Sequence, residues 1–537
     1  SAQGDARESR TVQTAQGPVR GYKTDGVFKF FGIPYATVPT GPKRFSAPLP
    51  GPVWLEPLEA VNDKIICPQG TLRAPDNHSY IMQENCLIAN VHMPDTEETN
   101  LPVLVYVHGG GFSAGCGELL APHSLVKSKK IIAVTFNYRL GALGFLCLGT
   151  EGAPGNAGMK DQVALLRWVN KNIANFGGNP DDVTVSGSSA GSSSVDLLML
   201  SNMTKGLYNK IIPESGASVA IWSIQQNPVQ NAKDFARLRN FTNVDDIATL
   251  EQFFTSTSYD VLISETFFME KTDQTLVFAP CVERNIGVET FLEDSPVNIL
   301  KHGQYRRVPV LYGFTNMEGF LGIRKFNEWK NQMNERFSDF LPGDLQFETE
   351  DEKTSVAQTV KEFYFGNEDI SEETILGYIN YMTDILIAYP HLRSTQLQVK
   401  AGSDSIYLYE YSYYSPSDSR FGWPPFAMNI EGANHVAQSF TVYDSKAHDR
   451  DTTEVFLKLR ETLREIWLNF IVTGKPVPEG SKLPAWPPVG ANGSPHMEFG
   501  SELKLKGPLL EKRFLFWNNI YERHYRSPIP PTDYKKS

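Results

Sequence analysis

Gly187-Ser188-Ser189-Ala190-Gly191 stands directly behind the β-branched run Asp182-Val183-Thr184-Val185-Ser186, so the stretch reads as G-x-S-x-G between the end of a strand and the start of a helix. In that setting the central serine sits on a tight, strained turn with its hydroxyl exposed above a parallel sheet, and the flanking glycines let neighbouring backbone pass without a Cβ clash. Ser189 is therefore the candidate nucleophile. The pentapeptide alone recurs by chance, and an ordinary Gly/Ser helix start looks the same, so the flanking elements decide its meaning.

Those elements alternate between strand and helix. Leu101 to Val107 is a continuous apolar run closing on His108-Gly109-Gly110-Gly111-Phe112, and Ile131 to Phe136 is a second such run. Both patterns suit strands buried on two faces of a mostly parallel sheet. From Met159 to Ala174 the residues Val163, Leu166, Trp168 and Val169 recur at helical spacing, and Phe176-Gly177-Gly178-Asn179-Pro180 stops that helix. Further strands are expected at Val308 to Gly313 and at Ser405 to Ser412, with a long helix near Thr453 to Val472. This rhythm predicts an α/β fold with functional loops at the carboxyl ends of its strands. No linker, repeat or low-complexity tract divides residues 1–537, which predicts one catalytic domain.

The net charge of −11 and pI of about 5.5, with acidic residues dispersed, argue against nucleic acid or an anionic membrane surface as partner. The apolar runs are too short to span a bilayer, so a soluble protein without a membrane span is expected, with a monomer favoured. A start at Ser1 fits a processed secretory chain. The sequons at Asn77, Asn202, Asn240 and Asn492 are candidate glycosylation sites, the last weakened by the proline that follows its serine. Neither an ER-retention tetrapeptide nor a hydrophobic anchor signal occurs at the tail, and secretion is the expected fate.

Five cysteines cannot all pair with one another. Cys67 and Cys86 are the closest useful pair, and a disulfide between them would constrain the unfolded chain by roughly 3 kcal/mol in the chain-entropy model. Cys116, Cys147 and Cys281 belong to no CxxC or Cys/His cluster and are expected as small buried hydrophobes.

A serine hydroxyl needs a base, and the base needs an acid to hold its tautomer. In hydrolases built on a G-x-S-x-G elbow the order is Ser, Asp/Glu, His. The histidines after any plausible acid are His391, His435, His448, His496 and His524, and only His435 and His448 lie between the Ser405 to Ser412 strand and the long helix. His435, in Glu431-Gly432-Ala433-Asn434-His435, has small neighbours that let the ring approach a turn, whereas Lys446, Asp449 and Arg450 around His448 suit a solvated side chain. Glu318, just past the Val308 to Gly313 strand, is the candidate acid, although a loop carboxylate in water has the same spacing. Gly110 and Gly111, with Ala190 directly after the serine, are the candidate oxyanion donors, because successive glycines expose N–H groups that no side chain shields. His108 is expected to support that loop and not to act as a base. Neither G-x-G-x-x-G nor G-x-x-x-x-G-K-[ST] occurs at a strand-to-helix turn, and no metal-ligand spacing is evident, so no cofactor or metal is called for.

Over nearly its whole length the chain resembles the type-B carboxylesterases, the carboxylesterase and cholinesterase branch of the α/β-hydrolases, with a texture most like insect secreted esterases. The likeness rests on Phe31-Gly32-Ile33-Pro34-Tyr35-Ala36, Glu84-Asn85-Cys86-Leu87, His108 to Phe112, Asn137-Tyr138-Arg139-Leu140, Gly155-Asn156-Ala157-Gly158, Lys160-Asp161-Gln162 and Phe176 to Pro180. Further on it includes Glu214-Ser215-Gly216, the Glu318 loop, Gly432 to His435, Trp467-Leu468-Asn469-Phe470 and Thr473-Gly474-Lys475-Pro476. The resemblance implies a large central, mostly parallel twisted sheet flanked by helices. It places Ser189, Glu318 and His435 on the family triad, Gly110, Gly111 and Ala190 on the oxyanion hole, and Cys67 with Cys86 on the first disulfide. Three positions depart from the pattern: Ser188 stands where juvenile hormone esterases usually carry Gln, Gln438 where an acid usually follows the histidine, and Asn85 where Asp usually precedes the cysteine. The first speaks against hormone specificity, the second predicts a weaker contact behind the histidine loop, and the third removes a structural salt bridge.

The expected activity is serine-dependent hydrolysis of small apolar carboxylic esters through an acyl-enzyme, the substrate being an odorant or pheromone, lipid or xenobiotic ester, with juvenile hormone as an alternative. Some members of the family are catalytically silent adhesion proteins. Those commonly lack the nucleophile or another triad residue and continue into a membrane span, whereas this chain keeps Ser189.

Overall fold

In the computed structural model, the described residues are 6–70, 79–263, 270–418, 427, 429–445 and 451–532. Twelve strands run through one sheet: β1 (Ser9–Thr14), β2 (Gly17–Thr24), β3 (Val27–Pro34), β4 (Ile88–Pro94), β5 (Leu101–Val107), β6 (Ile132–Phe136), β7 (Gly178–Ser188), β8 (Lys210–Glu214), β9 (Val310–Thr315), β10 (Ile406–Tyr411), β11 (His496–Phe499) and β12 (Leu503–Lys506). Their spatial order is β1-β2-β3-β4-β6-β5-β7-β8-β9-β10-β11-β12, and the short strand Leu58–Glu59 pairs with β2. From β6 to β11 every pairing is parallel, while β1 to β4, the β4/β6 pair and the β11/β12 edge are antiparallel.

The residue pattern explains this layering. In β5 and β6 nearly every side chain is buried, as expected of strands covered by helices on both faces, whereas β1 alternates exposed and buried positions at the sheet edge. β10 carries a tyrosine face and an aliphatic face that are both buried, with Tyr409 against Trp467 and Phe499. The covering helices include α1 (Ala157–Asn172), α2 (Ala190–Leu198), α3 (Tyr389–Lys400), α4 (Ala437–Val442) and α5 (Glu454–Thr473). α1 ends two residues earlier than its periodicity suggests, because the chain tightens into a 3₁₀ turn at Ile173–Phe176 before Gly177. The Thr453 side chain caps α5 by accepting from the Phe456 amide.

The adjacent buried charges Lys160 and Asp161 on α1 are both paired. Arg139 donates from Nε and Nη2 to the two carboxylate oxygens of Asp161 at 2.8 and 2.6 Å, and Lys160 Nζ meets Glu283 at 2.7 Å. A planar guanidinium matches a carboxylate bidentately, and removing one partner of such a buried pair would strand a charge. Asn85, before Cys86, makes no ion pair among the described residues, while its neighbour Glu84 does. Arg44 pairs with Glu84, and the Asn85 side chain accepts from the Val38 amide at 3.2 Å.

The cysteine expectation holds for three residues and fails for two. Cys67 and Cys86 are bonded, and Cys116 is a free, buried thiol. Cys147 and Cys281, read from sequence as small buried hydrophobes, instead form a second disulfide across a separation of 134 residues. The connection is made by Gly155-Asn156. A Cβ on Gly155 would lie 2.4 Å from the Cys281 sulfur, and the Asn156 side-chain amide donates to the Cys281 carbonyl and accepts from its N–H, both at 2.8 Å. Nothing local in the sequence announces a pairing over that distance.

Among the described residues no helix is long and apolar enough to cross a membrane. The sequon asparagines Asn202, Asn240 and Asn492 are exposed, and Asn77 lies outside the described residues. Replacing Cys281 with Ser should lower unfolding stability by about 2–5 kcal/mol in a denaturant titration, given the long loop released. A thiol count on the denatured, unreduced chain should find a single reactive cysteine, Cys116.

Candidate active site

β7 ends at Ser188 and α2 begins at Ala190, which leaves Ser189 alone at the corner with φ 59° and ψ −119°. This conformation costs of order 1–3 kcal/mol for a residue with a Cβ and persists only where its surroundings over-determine it. They do so here. The Ser189 amide donates to the Glu214 carbonyl at 2.9 Å, and the Ser193 amide donates to the Ser189 carbonyl at 3.0 Å. Gly191 packs so closely under β5 that a Cβ would lie 2.1 Å from the Val107 carbonyl oxygen. The turn therefore cannot relax without parting β7 from β5.

Ser189, His435 and Glu318 meet although they come from three distant segments. His435 Nε2 lies 2.8 Å from Ser189 Oγ, and His435 Nδ1 is hydrogen-bonded to Glu318 Oε2. The second carboxylate oxygen of Glu318 accepts from the Thr315 amide at 2.9 Å. Glu318 is fully buried at the start of a 3₁₀ stretch, Glu318–Lys325, directly after β9. Its loop is laced to the histidine loop. Asn316 Oδ1 accepts from the Ala433 amide at 2.8 Å, and the Met317 amide donates to the Ala433 carbonyl at 3.2 Å. His435 is held in turn by Asn434, whose side chain accepts from the His435 amide at 2.9 Å, and by the left-handed Val436 that starts α4. A carboxylate accepting from Nδ1–H leaves Nε2 free to accept the serine proton, the arrangement general-base activation requires. His448, the other histidine of this region, lies outside the described residues.

The loop His108 to Phe112 lies directly on this corner, with a Cβ on Gly109 falling 3.1 Å from the Ser189 Cβ. Gly110 and Gly111 have φ of 124° and 63°, and the Gly110 carbonyl accepts from the Ser113 and Ala114 amides. Beneath the loop the His108 ring stacks on Tyr138, whose hydroxyl donates to the His108 carbonyl at 2.7 Å. His108 Nδ1 donates to the Gly109 carbonyl at 2.7 Å, and burial pulls the imidazole pKa down to about 4, so this histidine is neutral at physiological pH and braces the loop. Phe112 packs against Phe145 and Trp222, all three buried.

A further layer behind the corner was not legible from motifs. Gln438 Nε2 donates to Ser215 Oγ at 2.7 Å and to the Tyr409 hydroxyl at 3.2 Å, so the position after the histidine is tied to the sheet without an acid. The buried acid of this layer is Glu214, quoted in the sequence only as part of Glu214-Ser215-Gly216. Burial pushes its pKa up to about 8.

The elbow, the parallel sheet and the acid loop after β9 define an α/β-hydrolase scaffold of the esterase type. A model of the carboxylesterase family matches residues 8–517. Esterase FE4 of Myzus persicae is 33% identical over 515 residues, covering 91% of this chain and 88% of that protein. A juvenile hormone esterase of Heliothis virescens is 32% identical over 501 residues, covering 88% and 86%. Among solved structures, juvenile hormone esterase from Manduca sexta with OTFP covalently attached superposes with a TM-score of 0.82 at 29% identity, covering 96% of this chain and 100% of that one. The chain belongs to the carboxylesterase family and is a carboxylic-ester hydrolase.

Gly110→Ala tests the loop geometry: the new Cβ would sit 2.0 Å from the Ala114 carbonyl at a φ unfavourable to side chains. Steady-state kinetics should show kcat reduced by about 10²–10³ as the loop is displaced from Ser189.

Proposed function

We propose that Ser189 is the nucleophile of this esterase, His435 its general base and acid, and Glu318 the residue that orients His435. The observation that carries the reading is the unbroken hydrogen-bonded chain from Ser189 Oγ through the imidazole to a fully buried carboxylate. Ser189 attacks the ester carbonyl as its proton passes to His435 Nε2, and the developing oxyanion is met by the amides of Gly110, Gly111 and Ala190. His435 then protonates the departing alcohol. Water, deprotonated by the same imidazole, releases the acid from the acyl-enzyme. Glu318, accepting from Nδ1–H throughout, fixes the tautomer and stabilises the imidazolium. The whole chain serves as one catalytic domain.

The substrate is an apolar carboxylic ester, an odorant or pheromone, lipid or xenobiotic ester, in keeping with the buried aromatic cluster of Phe112, Phe145 and Trp222 that begins in the glycine loop. Juvenile hormone is the second reading. It is favoured by the hormone esterases among the similar proteins and disfavoured by Ser188 in the nucleophile motif. Two disulfides and exposed sequons at Asn202, Asn240 and Asn492 suit an extracellular, glycosylated protein.

Wild-type protein should hydrolyse p-nitrophenyl esters, and Ser189→Ala should lower kcat by roughly 10⁴–10⁶ with its fold intact by circular dichroism. Turnover surviving in that variant contradicts the assignment. In a direct comparison, kcat/KM for simple apolar esters should exceed that for juvenile hormone, and a preference for the hormone by orders of magnitude would reverse the substrate ranking.

A further inference from the structure

Beneath the elbow lies a carboxyl that the hydrolytic steps never touch. Glu214 ends β8, pairs in register with Ser188 of β7, and is fully buried. Its carbonyl holds the Ser189 amide, and its side chain collects a second set of contacts. Trp467 Nε1 on α5 donates to Glu214 Oε1 at 2.8 Å, and Glu214 Oε2 stands 3.3 Å from Ser188 Oγ. Ser188 Oγ accepts from the Tyr106 hydroxyl at 2.9 Å and lies 2.7 Å from Ser439 Oγ on α4, the helix that starts two residues after His435. One carboxyl thus joins the residue before the nucleophile, the helix behind the histidine, and the long helix α5.

We propose that Glu214 is a positioning residue for ester hydrolysis, fixing the separation of Ser189 and His435 through the Ser188–Ser439 hydrogen bond. The inference rests on the reading of those two residues as nucleophile and base.

The proton count explains how the network works. Besides Ser188, Ser439 and Trp467, the groups facing the carboxyl are the hydroxyls of Tyr106, Tyr409 and Tyr443, whose pKa values are raised first by burial and then by its proximity, and the described residues bring no Lys or Arg into contact with it. Burial without a cation drives the pKa up to about 8, against the hydrogen bonds that lower it, so the acid is protonated at neutral pH. In that form its O–H donates to Ser188 Oγ, and the single Ser188 proton is left for Ser439. Once Glu214 ionises it can only accept. The Ser188 and Ser439 hydroxyls, both in hydrogen-bonding reach of Glu214, then turn their protons to the carboxylate, which leaves their two oxygens facing each other with no proton between them. The geometry of the Ser189 and His435 pair therefore loosens on the alkaline side.

Stability should follow the same ionisation. An acid whose folded pKa is raised leaves stability untouched below its ordinary value of 4.5, where both states are protonated, and lowers it progressively as pH rises from there towards about 8.

Kinetics with p-nitrophenyl butyrate from about pH 6 to 9.5 on wild type, Glu214→Gln and Glu214→Ala test the proposal. Wild-type kcat should fall at least about threefold along an alkaline limb with an apparent pKa near 8, Glu214→Gln should lose that limb at a cost of about two- to threefold in kcat, and Glu214→Ala should lose about tenfold or more with KM little changed. Glu214→Gln should also gain more in melting temperature over wild type near pH 8 than near pH 5. An alkaline limb that persists in Glu214→Gln, or a Glu214→Ala enzyme with wild-type kcat, overturns the inference; if Glu214→Ala does not fold, the Glu214→Gln profile decides alone. Stoichiometric organophosphate labelling of wild type, abolished in Ser189→Ala, reports the hydrolase reading separately, so failure of one is distinguishable from failure of the other.

Discussion

The backbone of Ser189 is the constraint around which this protein is organised. A residue with a Cβ at φ 59° and ψ −119° does not rest there of its own accord, and the fold supplies the restoring forces from three sides. The Glu214 carbonyl on β8 takes its amide, the first turn of α2 takes its carbonyl, and β5 presses on Gly191 from beneath. β8 and β5 are interior to the parallel part of the sheet, and α2 follows directly from β7 between them. The cost of the strained corner is thus spread over the most completely buried strands of the molecule, and the hydroxyl is aimed by the scaffold and not by a flexible loop.

The partners of that hydroxyl arrive by the same logic. β9 and β10 lie next in order beyond β8, and the segments that follow them carry Glu318 and the His435 loop. Two hydrogen bonds between Asn316, Met317 and Ala433 bind these segments into one unit before either side chain reaches the site. Buried charge is handled unevenly and to effect. Where it is structural it is paired, as in Arg139 with Asp161 and Lys160 with Glu283. Around the site, His108 and Glu214 are driven towards their neutral forms, and Glu318 is the carboxyl hydrogen-bonded to the His435 ring.

Sequence reading reached the elbow because the strand, the glycines and the serine are contiguous, and it reached Glu318 and His435 because chain order and strand ends leave few alternatives. It placed β9 two residues early, since Val308 and Pro309 are as apolar as the strand that follows them. Its failures are contacts between segments that share no periodicity. Cys147 and Cys281 are 134 residues apart and are brought together by the turn at Gly155-Asn156. The Arg44 and Glu84 ion pair likewise joins segments 40 residues apart, while Asn85 beside it makes, among the described residues, only a side-chain hydrogen bond to the Val38 amide. Glu214 sat inside a recognised motif, yet only the register of β7 against β8 puts its carboxyl beside Ser188.

Peptide mapping by mass spectrometry of the enzyme after a short-chain organophosphate has reacted to completion tests the central claim most directly. The account predicts a single covalent phosphoryl group per chain, carried by the peptide containing Ser189, and no adduct when His435 is replaced by Gln. Modification of a different residue, or equal labelling without the imidazole, would show that the strained serine and its histidine are not the reacting pair.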